Sequence, residues 1–289
     1  MRFSIVTDTS ANLPIEFVRE NDITVIPFSF YINGEENTCT DTAGFDGKKY
    51  YDMIRAGQVV TTSQITPARY TEYIEPILQK GNDVLFISLS SGVSGAFSSS
   101  RIAFRELSEK YPDRKMASVD SLGASLGEGL LAFYAVEDRN AGKSLEETAE
   151  HLNAIVPPMN QLFTVDDLKY LRMSGRISGA TAVIGSVLNI KPILIGSEEG
   201  KIVSFDKVRG RKKAVKELAR LYEQRVVDAG EQIVGISHAD CEEDAKTLEA
   251  MIREIAEPRK IITVCHEPAT GCHVGPGMLG LYFIGKGRS

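Results

Sequence analysis

The residues best placed to do chemistry lie near the end of the chain, in Gly271-Cys272-His273-Val274-Gly275-Pro276-Gly277. A histidine set between glycines, with a Gly-Pro-Gly turn behind it, brings an imidazole against bare backbone, because glycine allows close approach and proline stiffens the turn. That suits recognition of an anion or a carbonyl, although a tight turn carrying a surface histidine has the same spelling. The chain has only four histidines, so this one stands out, and other clusters must decide its role. Hydroxyl-rich segments recur in the first half: Val6-Thr7-Asp8-Thr9-Ser10, then Thr61-Thr62-Ser63-Gln64 before Pro67, then Ser88-Leu89-Ser90-Ser91-Gly92-Val93-Ser94-Gly95 before Ala96. A helix N-terminus offers free amides and the positive end of its dipole to an anion, and nearby hydroxyls add donors. N-capping alone explains any one of them. Three together point to a polar pocket at the carboxyl ends of parallel strands, where α/β sheets bind ligands.

The second half supplies cations. Lys169, Arg172 and Arg176 surround the Ser174-Gly175 pair, and Lys207-Val208-Arg209-Gly210-Arg211-Lys212-Lys213 follows an expected strand. Arginine forks fit carboxylates and phosphates, whereas a solvated basic face accounts more simply for Arg211 to Lys213. Gly275-x-Gly277-x-x-Gly280 has the spelling of a dinucleotide fingerprint, but too little chain follows it to complete a βαβ unit and a proline interrupts it. Gly92-Val93-Ser94-Gly95-Ala96 approaches a nucleophile elbow, with His273 later in the chain. A serine hydrolase with Ser94 as nucleophile and His273 as base is therefore the alternative function, although the elbow lacks its final glycine and no acid is marked out to orient the histidine. No Walker loop, H-E-x-x-H or kinase signature occurs, so neither ATP, nor a catalytic metal, nor another cofactor is expected.

These groups need a scaffold, and the pattern of the chain indicates an α/β one. Short β-branched runs predict strands over Phe3–Thr7, Ile23–Ile26, Val84–Ser88 and Ala117–Asp120. Apolar residues at three- and four-residue spacing predict helices over Pro67–Gln79, Ala96–Lys110 and Leu126–Arg139. This alternation is the grammar of a parallel sheet sandwiched by helices. Pro157-Pro158 then interrupts the chain and marks an expected boundary between domains at 1–156 and 157–289. Beyond it a strand at Leu162–Val165 leads into a Gly/Ser-rich helical stretch, Ser174–Leu188. Strands Pro192–Ile195 and Lys201–Phe205 flank a hairpin turn, Gly196 to Gly200, and two further α–β repeats end in strands Ile233–Ser237 and Ile261–Cys265. The second domain should hold a mixed sheet with its helices on one face.

Composition narrows the partners. The 289 residues are 43% hydrophobic, enough for a real core, and the formal net charge is −6. That charge, with no basic stripe interleaved with aromatics, argues against nucleic acid. The longest apolar run, Leu130 to Val136, is too short to cross a bilayer, and the N-terminal residues read as a first strand instead of a signal peptide. Four cysteines without a C-x-x-C pair are expected to be reduced thiols of a cytoplasmic protein. Cys272, beside His273, is expected to be a small packed residue.

In order along the chain, these pieces resemble the DegV family, lipid-binding proteins that include the fatty-acid-binding subunits of bacterial fatty acid kinase. Val6 to Ser10 resembles the family's opening strand and loop, Thr61 to Gln64 its T-S-Q segment, and Ser90 to Gly95 its S-S-x-L-S-G-T loop, with Val93 and Ala96 replacing the usual Leu and Thr. Asp120-Ser121 with Gly127-x-Gly129 resembles D-S…G-x-G. Asp167 to Ile177 resembles D-L-x-Y-L-x-x-G-G-R-I, with Ser174 at the first glycine, and His273 to Gly277 resembles H-x-G-P-G. The resemblance implies a two-domain α/β protein of DegV type with a long-chain fatty acid between the domains. It implies a carboxylate held by Thr62, Ser63, Ser94, Gly95 and His273. It also implies a separate ATP-dependent kinase subunit as the partner that phosphorylates the bound carboxylate, with no chemistry done by this chain alone. Arg176 and Arg209 match arginines of the pattern and are expected at the phosphoryl group or the partner. The segments Ala180–Leu188 and Met278–Ile284 are candidates for the acyl tunnel wall.

Overall fold

The computed structural model describes residues 3–177 and 189–288. Strand β1 (Ser4–Asp8) is followed by α1 (Ile15–Glu20) and β2 (Thr24–Ile26). A small excursion comes next: β3 (Ser29–Ile32), β4 (Glu35–Asn37), α2 (Gly47–Arg55) and β5 (Val60–Ser63). The alternation resumes with α3 (Pro67–Gln79), β6 (Val84–Ser88), α4 (Ala96–Lys110) and β7 (Met116–Asp120). Four of these strands form a parallel sheet in the order β2-β1-β6-β7. All five residues of β6 are buried, as expected of a strand covered on both faces. Helix α3 starts where the sequence directs it: the Thr66 hydroxyl accepts from Arg69 N–H, and Pro67 occupies the first turn, where its missing N–H costs nothing.

Helix α5 (Leu126–Asn140) joins the two halves of the molecule. It is apolar almost all round, with Leu130, Leu131, Ala132 and Ala135 fully buried, the pattern of a helix enclosed on every side. One core cluster unites it with Ile5 and Ile87 of the parallel sheet and with Ile233, Ile262 and Tyr282 of the second half. Helix α6 (Leu145–Ile155) begins with a complete capping box between Ser144 and Glu147, and Pro157-Pro158 turns the chain into β8 (Met159–Thr164).

After α7 (Lys169–Met173) come β9 (Ile190–Gly196), β10 (Ile202–Arg209), α8 (Arg211–Arg225), β11 (Ile233–His238), α9 (Glu242–Ile255), β12 (Lys260–Cys265), α10 (Pro268–Val274) and β13 (Leu279–Ile284). The second sheet has the order β10-β9-β8-β13-β11-β12. Its pairs are antiparallel except β11–β12, so it is mixed. The two-residue side-chain period of β11 separates its faces. Ile233 packs into the α5 cluster, whereas Val234 and Ile236 pack with Leu218 of α8 and Leu248 of α9.

Three expectations need correction. Thr61 to Gln64 does not leave a parallel strand: Thr62 and Ser63 lie inside β5, which pairs antiparallel with β3 in a separate three-stranded sheet. His273 is not in a loop but in the last turn of α10, which Glu267 caps by accepting from the Ala269 and Thr270 amides and which carries Pro268 in its first turn. The helix expected over Ser174–Leu188 lies mostly outside the described residues. Its described start is a turn at Ser174 and Gly175 and a bridge from Ile177 to Ile202, and the short helix α7 ends just before it at Met173.

Candidate functional site

A cavity of about 280 Å³ lies where β5, the Leu89–Gly95 segment, the Leu122–Ala124 loop, β8, β13 and α10 converge. Thr62, Ser63, Ser94, Gly95 and His273 all line it, and so does Arg176. Arg209 does not; it stands exposed at the end of edge strand β10, opposite Ile190. Of the expected tunnel walls, Met278 and Tyr282 face the cavity, and Ala180–Leu188 falls outside the described residues. Phe28, Leu89, Phe163 and Leu171 give it an apolar lining beside the polar groups.

The anion-facing chemistry centres on His273, whose Nε2 lies 2.9 Å from the Thr62 hydroxyl. Burial, reinforced by the charge of Arg176, pushes its pKa down to about 4, so the ring is neutral at pH 7 and carries one N–H. The imidazole and the Thr62 hydroxyl thus hold two polar hydrogens and spend one on each other. Whichever tautomer forms, one donor of the pair remains for a ligand. The Ser94 hydroxyl accepts from Ala96 N–H at 3.2 Å, leaving its own proton to donate. Among the described residues no hydrogen bond joins Ser94 to His273, so the nucleophile–base pair of the hydrolase alternative is not assembled.

Glycine packing closes the wall at the third hydroxyl segment, Ser88 to Gly95. The tip of the β9–β10 hairpin rests on it, with the Ser90 hydroxyl donating to Gly200 C=O at 2.8 Å. A Cβ on Gly92 would lie 2.4 Å from Glu199 O, so only glycine permits this approach.

The sequence model of the DegV family, described as an uncharacterised protein family, matches residues 2–286. The chain belongs to the DegV family. It is 38% identical over 284 residues to a DegV domain-containing protein of Clostridium perfringens, covering 98% of each chain. Among solved structures it is similar to a DegV fatty acid binding protein from Bacillus subtilis (TM-score 0.83, 31% identity, 99% of this chain and 100% of that one). It is also similar to a DegV lipid binding protein from Thermotoga maritima (TM-score 0.87, 27% identity, 100% of both).

Further polar groups of this DegV chain line the cavity that motif reading did not single out: Gln161, His266 and Thr270. Gln161 lies just before the strand expected at Leu162–Val165 and falls inside β8. It reaches across to the first half, donating to Leu122 C=O and accepting from Ala124 N–H. His266 bridges Thr270 (2.9 Å) and Ser237 (3.4 Å), and Ser237 meets Tyr282 at 3.0 Å; burial pushes this imidazole down to about 3. Cys272 is a packed residue, its thiol donating to Ala269 C=O and raised to about 12 by burial.

Behind the site lie three buried carboxyls, Asp8, Glu128 and Glu267, with no lysine or arginine paired to them among the described residues. The Ser10 hydroxyl sits 2.5 Å from both Asp8 Oδ1 and Glu128 Oε2. One hydroxyl has one proton, so one of the two carboxyls must supply the other. Burial raises both acids, which favours that shared proton.

Proposed function

We propose that the cavity binds one long-chain fatty acid, with its carboxylate at Thr62, Ser63, Ser94, the Gly95 amide and His273 and its chain along the apolar wall. The observation that carries this reading is the convergence of these donors, with Arg176, in one cavity that is otherwise lined by Phe28, Leu89, Phe163, Leu171 and Met278. A buried carboxylate is costly unless several donors meet it, and each methylene removed from water contributes about 0.8 kcal/mol. The fatty-acid-binding relatives of the same fold support the assignment. Among the described residues no helix is long and apolar enough to cross a membrane, in keeping with a carrier working in the cytoplasm.

The chain itself does no chemistry on the ligand in this reading. It presents the carboxylate to a separate ATP-dependent kinase subunit, which forms the acyl-phosphate. Arg176, at the cavity wall, is suited to balance the charge that accumulates during phosphoryl transfer, and exposed Arg209 is suited to the partner's surface. In this reading the chain divides at 1–156 and 157–289, with the ligand between the two units. Titration of delipidated protein with oleate tests the site. His273→Ala and Ser94→Ala should each weaken binding by about 1–3 kcal/mol, the cost of leaving a buried polar partner unpaired; unchanged affinity in both removes the carboxylate assignment. A fluorophosphonate should leave Ser94 unlabelled, and covalent labelling there would favour the hydrolase instead.

A further inference from the structure

We propose that Tyr170 is a positioning residue whose ring, seated on the bare backbone of Gly275, holds Arg176 at the cavity wall it shares with His273. Its bearing on ligand presentation rests on the fatty acid reading above. A Cβ on Gly275 would lie 2.1 Å from Tyr170 Cδ2, with two further ring carbons within 2.6 Å. The aromatic ring therefore fills the place of a side chain immediately after the helix that carries His273. One helical turn earlier in sequence, Asp166 does the same at the other glycine of that turn: a Cβ on Gly277 would lie 2.2 Å from its Oδ2. Both glycines have φ near +80°, a region that disfavours any side chain. The turn is thus keyed at two points, by Asp166 ahead of α7 and by Tyr170 within it.

Neither end of this coupling is loose. Asp166 is held by Lys191 at 2.6 Å and lies 3.7 Å from Arg211. The turn is tied to β11's exit by Gly277 N–H donating to Ala239 C=O at 2.7 Å. From Tyr170 onward, Ser174 N–H donates to Tyr170 C=O and Arg176 N–H donates to Leu171 C=O, while the Arg176 guanidinium donates to Ser174 C=O. The backbone between the ring and Arg176 is closed by hydrogen bonds, so the position of the ring sets that of the guanidinium. Arg176 and His273 both line the cavity, and Tyr170 does not. Tyr170 therefore acts through them and not on the ligand. Burial is the larger cause of the depressed imidazole pKa and the charge of Arg176 adds to it; β5 faces the ring with the uncharged Thr62 and Ser63, and the neighbouring Cys272 is a neutral thiol.

The His273 ring titration, followed by NMR in the ligand-free protein, reads this coupling directly. Arg176→Ala should raise the imidazole pKa from its depressed value. Tyr170→Ala should raise it by the same amount, and the double variant should go no higher. Tyr170→Phe should behave as the parent, because ring carbons make the contact. If Tyr170→Ala does not fold, Tyr170→Leu removes the flat ring while keeping apolar bulk and should give the same shift. A folded ring-less variant with the parent titration, or shifts that add in the double variant, would overturn the proposal. No fatty acid or kinase enters this measurement, so its failure is distinct from failure of the fatty acid reading.

Discussion

Glu267 offers a quantitative test of how the site's foundation is built. Its carboxylate is fully buried, caps α10 and accepts from the Ala269 amide, the Thr270 amide and the Thr270 hydroxyl. Those donors favour the charged form, but burial outweighs them, and nearby Asp8 adds to it; the pKa rises from 4.5 to about 7. The sign follows from linkage. The unfolded chain ionises near 4.5 and the folded one near 7, so the stabilising contribution is complete below about pH 4.5 and is lost as pH rises through 7. Some 2.5 pKa steps at 1.36 kcal/mol each amount to about 3 kcal/mol. Glu267→Gln removes this dependence while keeping the shape, at the cost of turning one acceptor of the cap into a donor. At pH 5 the variant should be less stable by about 1–2 kcal/mol, the worth of a cap. Between pH 5 and 8 that deficit should shrink by about 2.5 kcal/mol and reverse, as read from urea unfolding of both proteins across the range. A deficit that stays constant, or grows with pH, would show that the cap donors and not burial control the acid, and the reasoning would be wrong.

Other outcomes follow from single contacts. Thr62→Val leaves His273 Nε2 without its partner and should weaken oleate binding by about 1–3 kcal/mol, with Thr62→Ser restoring most of it; isothermal titration reads both. Gly92→Ala drives a methyl into Glu199 O and the Gly200 backbone, and should cost about 1–3 kcal/mol through overpacking. Gly230→Ala, which meets nothing within 4 Å, serves as its control in thermal melts.

The parts of this protein that were legible in its sequence are those governed by local rules. The bounds of α3 follow from Thr66 and Pro67, and the strand Val84–Ser88 from its unbroken apolar run between turns. The hydroxyl segments and His273 were legible as candidates because their residue types suit donors to an anion. Their assembly was not, since Val60–Ser63 is too short and polar to declare its antiparallel pairing with β3, a contact of distant sequence. The glycines around His273 masked a helix whose start was signalled by Glu267 and Pro268. Arg209 and Arg176 read alike as basic residues near glycines. Only the extension of β10 along the sheet edge sends Arg209 to the surface while Arg176 turns inward. Gln161 was invisible as a pocket residue, and Glu128 as a buried acid, because burial of a polar side chain is decided by what the rest of the chain packs around it.

Mass spectrometry of the purified protein decides whether the cavity holds a fatty acid. Native spectra should show one acyl ligand per chain, released intact as a free long-chain acid on denaturation and organic extraction, and lost or reduced in His273→Ala. A protein that emerges empty and retains no added oleate would contradict the account.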